Sequence, residues 1–336
     1  MRNNIETCKK EKNLAIQILR VTACLMVFFV HFGQRINATG NIRAFFDFGA
    51  YGVQLFFLIS GYLCCLTFFR KDKMNVKEYY IKRAIAILPL YFLTIIYYFV
   101  SENILDYFFD IIPNDDVGLG WFRYIFLLNG FINSDTYFWS NLGITWTIPI
   151  FAFFYLIAPW IMKKVSSIKS AVVTWAIIFI STYAISLFYS CTIIENLHFF
   201  FLGFIIYTCV YEKKFRLPTV VILINALVFL ILKKFLLAYV FIFAAVTLNL
   251  ISCSKELTLP LKIKNIINLL DKYSYTFYLV HGVIFCSLLD RLIALGTNRL
   301  LIAEIAIIVT PILTLIIGRF IEQPIQNFLR KKLLKK

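Results

Sequence analysis

Two side chains on one apolar stretch carry the first chemical signal in this chain. Arg20 and His31 both lie in, or close to, the run 14–33 and stand eleven residues apart. Eleven residues of α-helix turn through about 1100°, within about 20° of three full turns, so the two face the same way. The rise between them is about 16 Å, too far for direct contact. Gln17 and Cys24 fall near the same stripe. A neutral imidazole is suited to taking a proton from a hydroxyl near pH 7. A guanidinium that keeps its charge is suited to phosphates or carboxylates. One helix thus offers an anion clamp at one end and a base farther in. Taken singly, Arg20 reads equally well as a snorkelling anchor and His31 as an imidazole bonded between helices. Their shared face weighs against both.

Such residues need an element to hold them, and composition says what kind. Of the 336 residues, 61% are hydrophobic, 18% aromatic and only 15% charged. Soluble domains run at about 45–50% apolar and about 25% charged. A soluble fold has no interior large enough for this apolar surface, so the sequence predicts an all-α, polytopic membrane helix bundle. The net charge of +16 does not point to nucleic acid, because the basic residues sit in short runs between apolar segments, as membrane anchors do. Cys24, Cys64, Cys65, Cys209 and Cys286 lie inside apolar segments, without a CxxC pair or Cys/His spacing, so they read as buried thiols and no metal site is expected. No small-residue cleavage site follows the first run, which is expected to stay as a first helix.

A helix needs about 20 apolar residues to cross the hydrocarbon core. The candidate spans are 14–33, 49–69, 84–101, 142–162, 171–190, 197–211, 217–232, 235–252, 273–289 and 300–318, about ten in all. Only Lys233 and Lys234 separate the seventh from the eighth, and the stretch 121–132 is too short to cross. With both termini cytoplasmic, the inside segments hold 26 of the 34 Lys and Arg, and the outside loops hold seven. That asymmetry supports the even count and the orientation. The one sizeable loop, about 102–141, lies outside and carries acids and aromatics such as Tyr137 and Phe138, compatible with a glycan. Trp121, Trp139, Trp146 and Trp160 suit interfacial belts, with Trp146 also a possible platform for a sugar ring. Basic loops and the C-terminal RKKLLKK run are expected to meet anionic lipid. The chain reads as one domain over 1–336.

An ordered set of motifs then resembles a family. Arg20 and His31 at the spacing R-x10-H are followed by the segment from Gly52 to Tyr62, GVQLFFLISGY, which includes Gln54 and Ser60. Lys82-Arg83 precedes Leu88-Pro89-Leu90-Tyr91. Trp146-Thr147 leads to Phe154-Tyr155-Leu156 and Pro159. Phe200, Leu202 and Gly203, then Tyr275 through Tyr278 to His281, then Ile321-Glu322 and Pro324 complete the series. This series, over about 14–328, resembles the acyltransferase-3 family of integral membrane acyltransferases, which modify sugars and other envelope molecules. One position departs: many members carry a Glu five residues after the motif tryptophan, where this chain has Phe151, with Pro149 interrupting the segment. Either another carboxylate takes that part, or the acceptor differs, or activity is impaired.

The resemblance implies an acyl-CoA donor, most often acetyl-CoA, arriving from the cytoplasm, with no permanently bound cofactor. It implies as acceptor a hydroxyl of a surface polysaccharide, or of a free or lipid-linked sugar precursor, and a place in the bacterial cytoplasmic membrane. On this reading Arg20, Lys82 and Arg83 bind or frame the donor phosphates, and His31 is the general base. Gln54, Ser60, Trp146, Tyr278 and His281 are candidates for substrate contact or support. Direct transfer is preferred to relay through an acylated His31 or Ser60, and Ser60-Gly61 also reads as a close-packing site. His198 is expected at the outer interface in a solvated or packing role. Glu322 is expected to pair locally with Arg319 at i, i+3 and is not read as catalytic. The competing class is an exporter of an envelope polysaccharide or its lipid-linked precursor, distinguished by its indifference to acyl-CoA.

Overall fold

A computed structural model describes residues 13–69, 75–101, 120–132, 143–253 and 258–334. The basic segment 1–12, most of the loop 102–141 and its Tyr137, Phe138 and Trp139 lie outside the described residues. The described residues form helices without a strand: α1 (Leu14–Arg35), α2 (Gly40–Phe48), α3 (Gly52–Phe69), α4 (Val76–Val100), α5 (Gly120–Ile125), α6 (Thr147–Met162), α7 (Ile168–Ser186), α8 (Thr192–Asn196), α9 (His198–Tyr211), α10 (Arg216–Ile231), α11 (Phe235–Ser252), α12 (Leu261–Lys272), α13 (Ser274–Val283), α14 (Asp290–Ala294), α15 (Arg299–Ile317) and α16 (Gln323–Leu334). Among these residues, nine helical stretches are long and apolar enough to cross a bilayer, and α10 is a shorter apolar helix. The ten expected spans are therefore all helical, and α10, one of the two with the weakest separation, is the short one. The stretch 121–132 breaks into α5 and a single 3-10 turn, Asn129–Phe131.

Local chemistry sets several helix starts. Asn13 caps α1, its side chain accepting from the Ala15 amide at 2.9 Å, and Asn75 caps α4. Ser167 and Ser170 form a capping box on α7. Each cap satisfies amide groups that have no partner within their own helix.

Packing then places α1 at the centre, against α2, α3, α11, α12, α13 and α15. Glycine permits the tightest approaches. A Cβ on Gly61 would overlap the Phe200 carbonyl, and one on Gly203 would overlap the Leu58 carbonyl, so α3 and α9 touch backbone to backbone. Gly52 makes the same approach to Ala23 of α1. Within a bilayer, where lipid tails are as apolar as leucine, such contacts hold helices together by close packing. Two π-helical segments interrupt the last spans, Ile284–Leu289 after α13 and Gly318–Glu322 after α15.

Candidate functional site

Arg20 and His31 occupy two different cavities along α1. The inner cavity, about 240 Å³, is lined by Arg20, Ser60, Arg83, Phe151 and Tyr278, among others. The outer one, about 270 Å³, is lined by His31, Gln34, Arg35, Trp146 and Cys286. Val53 and Tyr278 line both, so these two residues form the partition between the chambers. The Tyr278 hydroxyl donates to the Ile144 carbonyl at 2.7 Å, which leaves its oxygen to accept from Thr147 Oγ1 at 2.8 Å. The partition is thus bonded to the 3-10 turn Gly143–Trp146 and the start of α6.

At the inner end, Arg20 is already paired. Its Nη1 donates to Asp271 Oδ1 at 2.7 Å and its Nη2 to Ser274 Oγ at 2.7 Å. Gln17 Nε2 donates to Asn268 at 2.6 Å and to Asp271 Oδ2 at 3.3 Å. Asp271 is only 2% exposed, and burial of a carboxylate is tolerated only with such partners. Arg20 is therefore locked in place while still presenting part of its surface to the cavity. Arg83 is held differently. Its guanidinium lies 4.7 Å from the Tyr155 ring centroid and 5.3 Å from that of Tyr79, with a hydrogen bond to Thr67 at 3.3 Å. Among the described residues no carboxylate pairs with it, and cation–π support leaves its charge available to an anion. Lys82 does not line the cavity; it pairs with Glu78 at i, i+4 on an exposed face of α4.

The outer end is built around His31. Gln34 Oε1 accepts from Arg35 Nη1 at 3.3 Å, which turns the amide oxygen towards His31 Nδ1 at 3.2 Å. His31 Nδ1 then carries the proton, and Nε2 holds a lone pair. Arg35 is itself anchored on Asp290 at 2.7 Å. His281 stands behind, its ring centroid 5.5 Å from that of His31. Its Nδ1 donates to the Phe277 carbonyl at 3.2 Å, and its buried Nε2 has no hydrogen-bond partner.

The remaining expected residues divide clearly. Ser60 lines the inner cavity, whereas Gly61 supplies the close contact with α9. Phe151, the position at which the sequence departs from the expected motif, is an apolar wall packed edge-on to Phe57 and Phe200. Gln54 is buried near the outer face and donates to Asn196 at 3.2 Å. His198 is not solvated; it is buried against Phe179 and Phe199. Trp160 faces outward, 60% exposed, as a belt residue does. The expected Glu322–Arg319 pair is not formed. Glu322 accepts from Thr276 and from Gln326, and Arg319 lies over the Phe320 ring. The π geometry of Gly318–Glu322 has more residues per turn, so i and i+3 no longer share a face.

Sequence reasoning missed Gln34, Arg35, Asp271 and Asp290. Gln34 carried a usable signal, a polar residue at i+3 from His31; the partners of Arg20 and Arg35 come from more than 250 positions away. Among the described residues, no group of three His, Cys, Asp or Glu side chains is placed to hold a metal ion. A family model described as an acyltransferase domain matches residues 13–319. No curated protein and no solved structure matches the chain.

Proposed function

The chain belongs to the acyltransferase-3 family and is a membrane O-acyltransferase, and from that premise we propose that it moves acetyl from acetyl-CoA to a hydroxyl of a cell-surface polysaccharide or its sugar precursor. The observation that carries this reading is the pair of adjoining chambers, one with cations and one with an oriented imidazole, sharing Tyr278 as a wall. In this proposal Arg83, supported by Arg20, takes the donor phosphates on the side the charge pattern assigns to the cytoplasm. Lys82 acts only as nearby positive charge at the rim. The pantetheine arm extends along α1 over about the 16 Å rise between Arg20 and His31, which brings the thioester to Tyr278.

The acceptor hydroxyl enters from the other side. His31 Nε2 takes its proton as the oxygen attacks the thioester carbonyl. The carbon–sulfur bond breaks, and the departing thiolate recovers the proton from the imidazolium. Gln34 holds the ring through Nδ1, as a base's orienting partner does. The setting proposed is the bacterial cytoplasmic membrane, with anionic lipid at the basic loops.

The test is the base-labile acetate on surface glycans of a deletion strain, complemented with wild type or His31→Ala at equal membrane expression. Restoration by the wild type alone supports the reading. Equal restoration by both removes His31 as the base, and a change in exported glycan without any change in acetate removes acetyl transfer to it.

A further inference from the structure

Acyl transfer puts negative charge on an oxygen, and the His31 chamber holds one cation to meet it. When an acceptor oxygen bonds to the thioester carbon, the carbonyl electron pair moves onto the carbonyl oxygen. Among the described residues lining that chamber, Arg35 alone carries a positive charge. It follows His31 by four positions, so the two lie one turn apart on the same face of α1. Arg35 Nη1 donates to Gln34 Oε1 at 3.3 Å, and that oxygen lies 3.2 Å from His31 Nδ1. Laid end to end through the shared oxygen, 3.3 Å and 3.2 Å put Nη1 no more than 6.5 Å from His31 Nδ1. A base contact of about 2.6–3.2 Å and an oxyanion contact of about 2.7–3.1 Å, made on two oxygens of one carbon, bridge a gap of that order.

The guanidinium is held in place without being used up. It has five N–H groups. Nη1 gives one to Gln34, and Nη2 gives one to Asp290 Oδ2 at 2.7 Å and meets Cys286 Sγ at 3.5 Å. The second N–H of Nη1 is not among these bonds. Asp290 takes a single bond and is 34% exposed, so water screens its charge and leaves Arg35 a positive field in the chamber. A donor fixed beforehand needs no reorganisation when charge develops beside it. Tyr278, at the partition, cannot take this part, because its hydroxyl already donates to the Ile144 carbonyl. Arg20 lies about 16 Å from His31 along the helix. We infer that Arg35 is a catalytic residue whose Nη1 stabilises the oxyanion of the tetrahedral intermediate, with Asp290 and Gln34 fixing its plane. The inference rests on the acetyl-transfer reading above. Arg35 keeps its protons throughout. His31 takes the acceptor proton, the carbonyl re-forms as the carbon–sulfur bond breaks, and the thiolate recovers that proton from the imidazolium.

Open membrane fragments of the deletion strain, which carry native acceptor, are assayed for thiol release from acetyl-CoA. Arg35→Ala at equal expression is expected to lower kcat about 10²-fold or more, with acetyl-CoA KM within about twofold. Millimolar guanidinium chloride is expected to restore about tenfold of that loss, and sodium chloride none. A role exerted only through Gln34 is separated by the double variant. Gln34→Leu already frees the imidazole, so Arg35→Ala added to it is expected to lower kcat about tenfold or more again. Arg43→Gln, which removes an outer charge from the exposed pair with Asp47, is expected to change kcat by less than about twofold. If Arg35→Ala does not reach the membrane, Arg35→Lys, which keeps the charge without the planar fork, carries the same comparison on Gln34→Leu with about a tenfold loss. An Arg35→Ala rate within about threefold of wild type, no rescue by guanidinium, or no added loss on Gln34→Leu overturns the inference and leaves the transfer reading standing. No thiol release by the wild type sinks the transfer reading itself.

Discussion

The two ends of α1 solve the same problem in opposite ways. Each places a polar side chain inside the membrane, where an unpaired charge is costly. The inner end meets Arg20 with a buried carboxylate, Asp271, and surrounds the pair with Gln17 and Ser274. The outer end meets His31 with an uncharged amide, Gln34, and keeps its ionic pair, Arg35–Asp290, one residue further out. An arginine that must stay charged is neutralised; an imidazole that must change charge is only oriented. A carboxylate directly on His31 would hold it protonated, and an amide does not.

The sharpest break of this contrast is His31→Ala. Thiol release from acetyl-CoA coupled to acceptor is expected to fall about 10³-fold, within the range for removing a general base, with unchanged behaviour on size exclusion. A fall of less than tenfold assigns the proton transfer elsewhere. Asp271→Ala comes next and reads out as stability. It leaves Arg20 uncompensated beside a buried site, so a loss of about 3 kcal/mol is expected in reversible unfolding in micelles. Little change there means that the Arg20 end is solvated rather than locked.

Smaller effects sharpen the comparison. Gln34→Leu is expected to lower kcat about tenfold while leaving acetyl-CoA KM within about twofold, since it frees the His31 ring without touching the donor. Arg83→Gln is expected to do the reverse, raising acetyl-CoA KM about tenfold with kcat nearly unchanged. Lys82→Gln, which breaks only an exposed i, i+4 pair, is expected to change either constant by less than about twofold. An Arg83 variant that behaves like Lys82→Gln means that the donor phosphates lie elsewhere.

Much of the bundle was legible from periodicity and charge alone. Every expected span is helical because an apolar run of bilayer length has few other stable forms in lipid. Arg20 and His31 were found because they share one helix, where spacing fixes direction. Gln34 was within reach by the same rule. Asp271 was not, because its partner on α1 lies 251 residues away, and helical spacing says nothing about which turns of two helices meet. The Glu322 misreading has the opposite cause: a purely local rule failed where the helix widened into a π segment.

The sequence by itself determined the solvent of this protein, its helical class, and the line of Arg20 and His31 along α1. These follow from composition and from a repeat of about 3.6 residues per turn, which act within a segment. Only the tertiary structure decided that the line runs through two chambers divided by Tyr278. Only it paired Arg20 with Asp271 and left Arg83 to aromatic faces. Those facts depend on where glycine contacts such as Gly61 with Phe200 let helices approach, a property of packed pairs that no single segment contains.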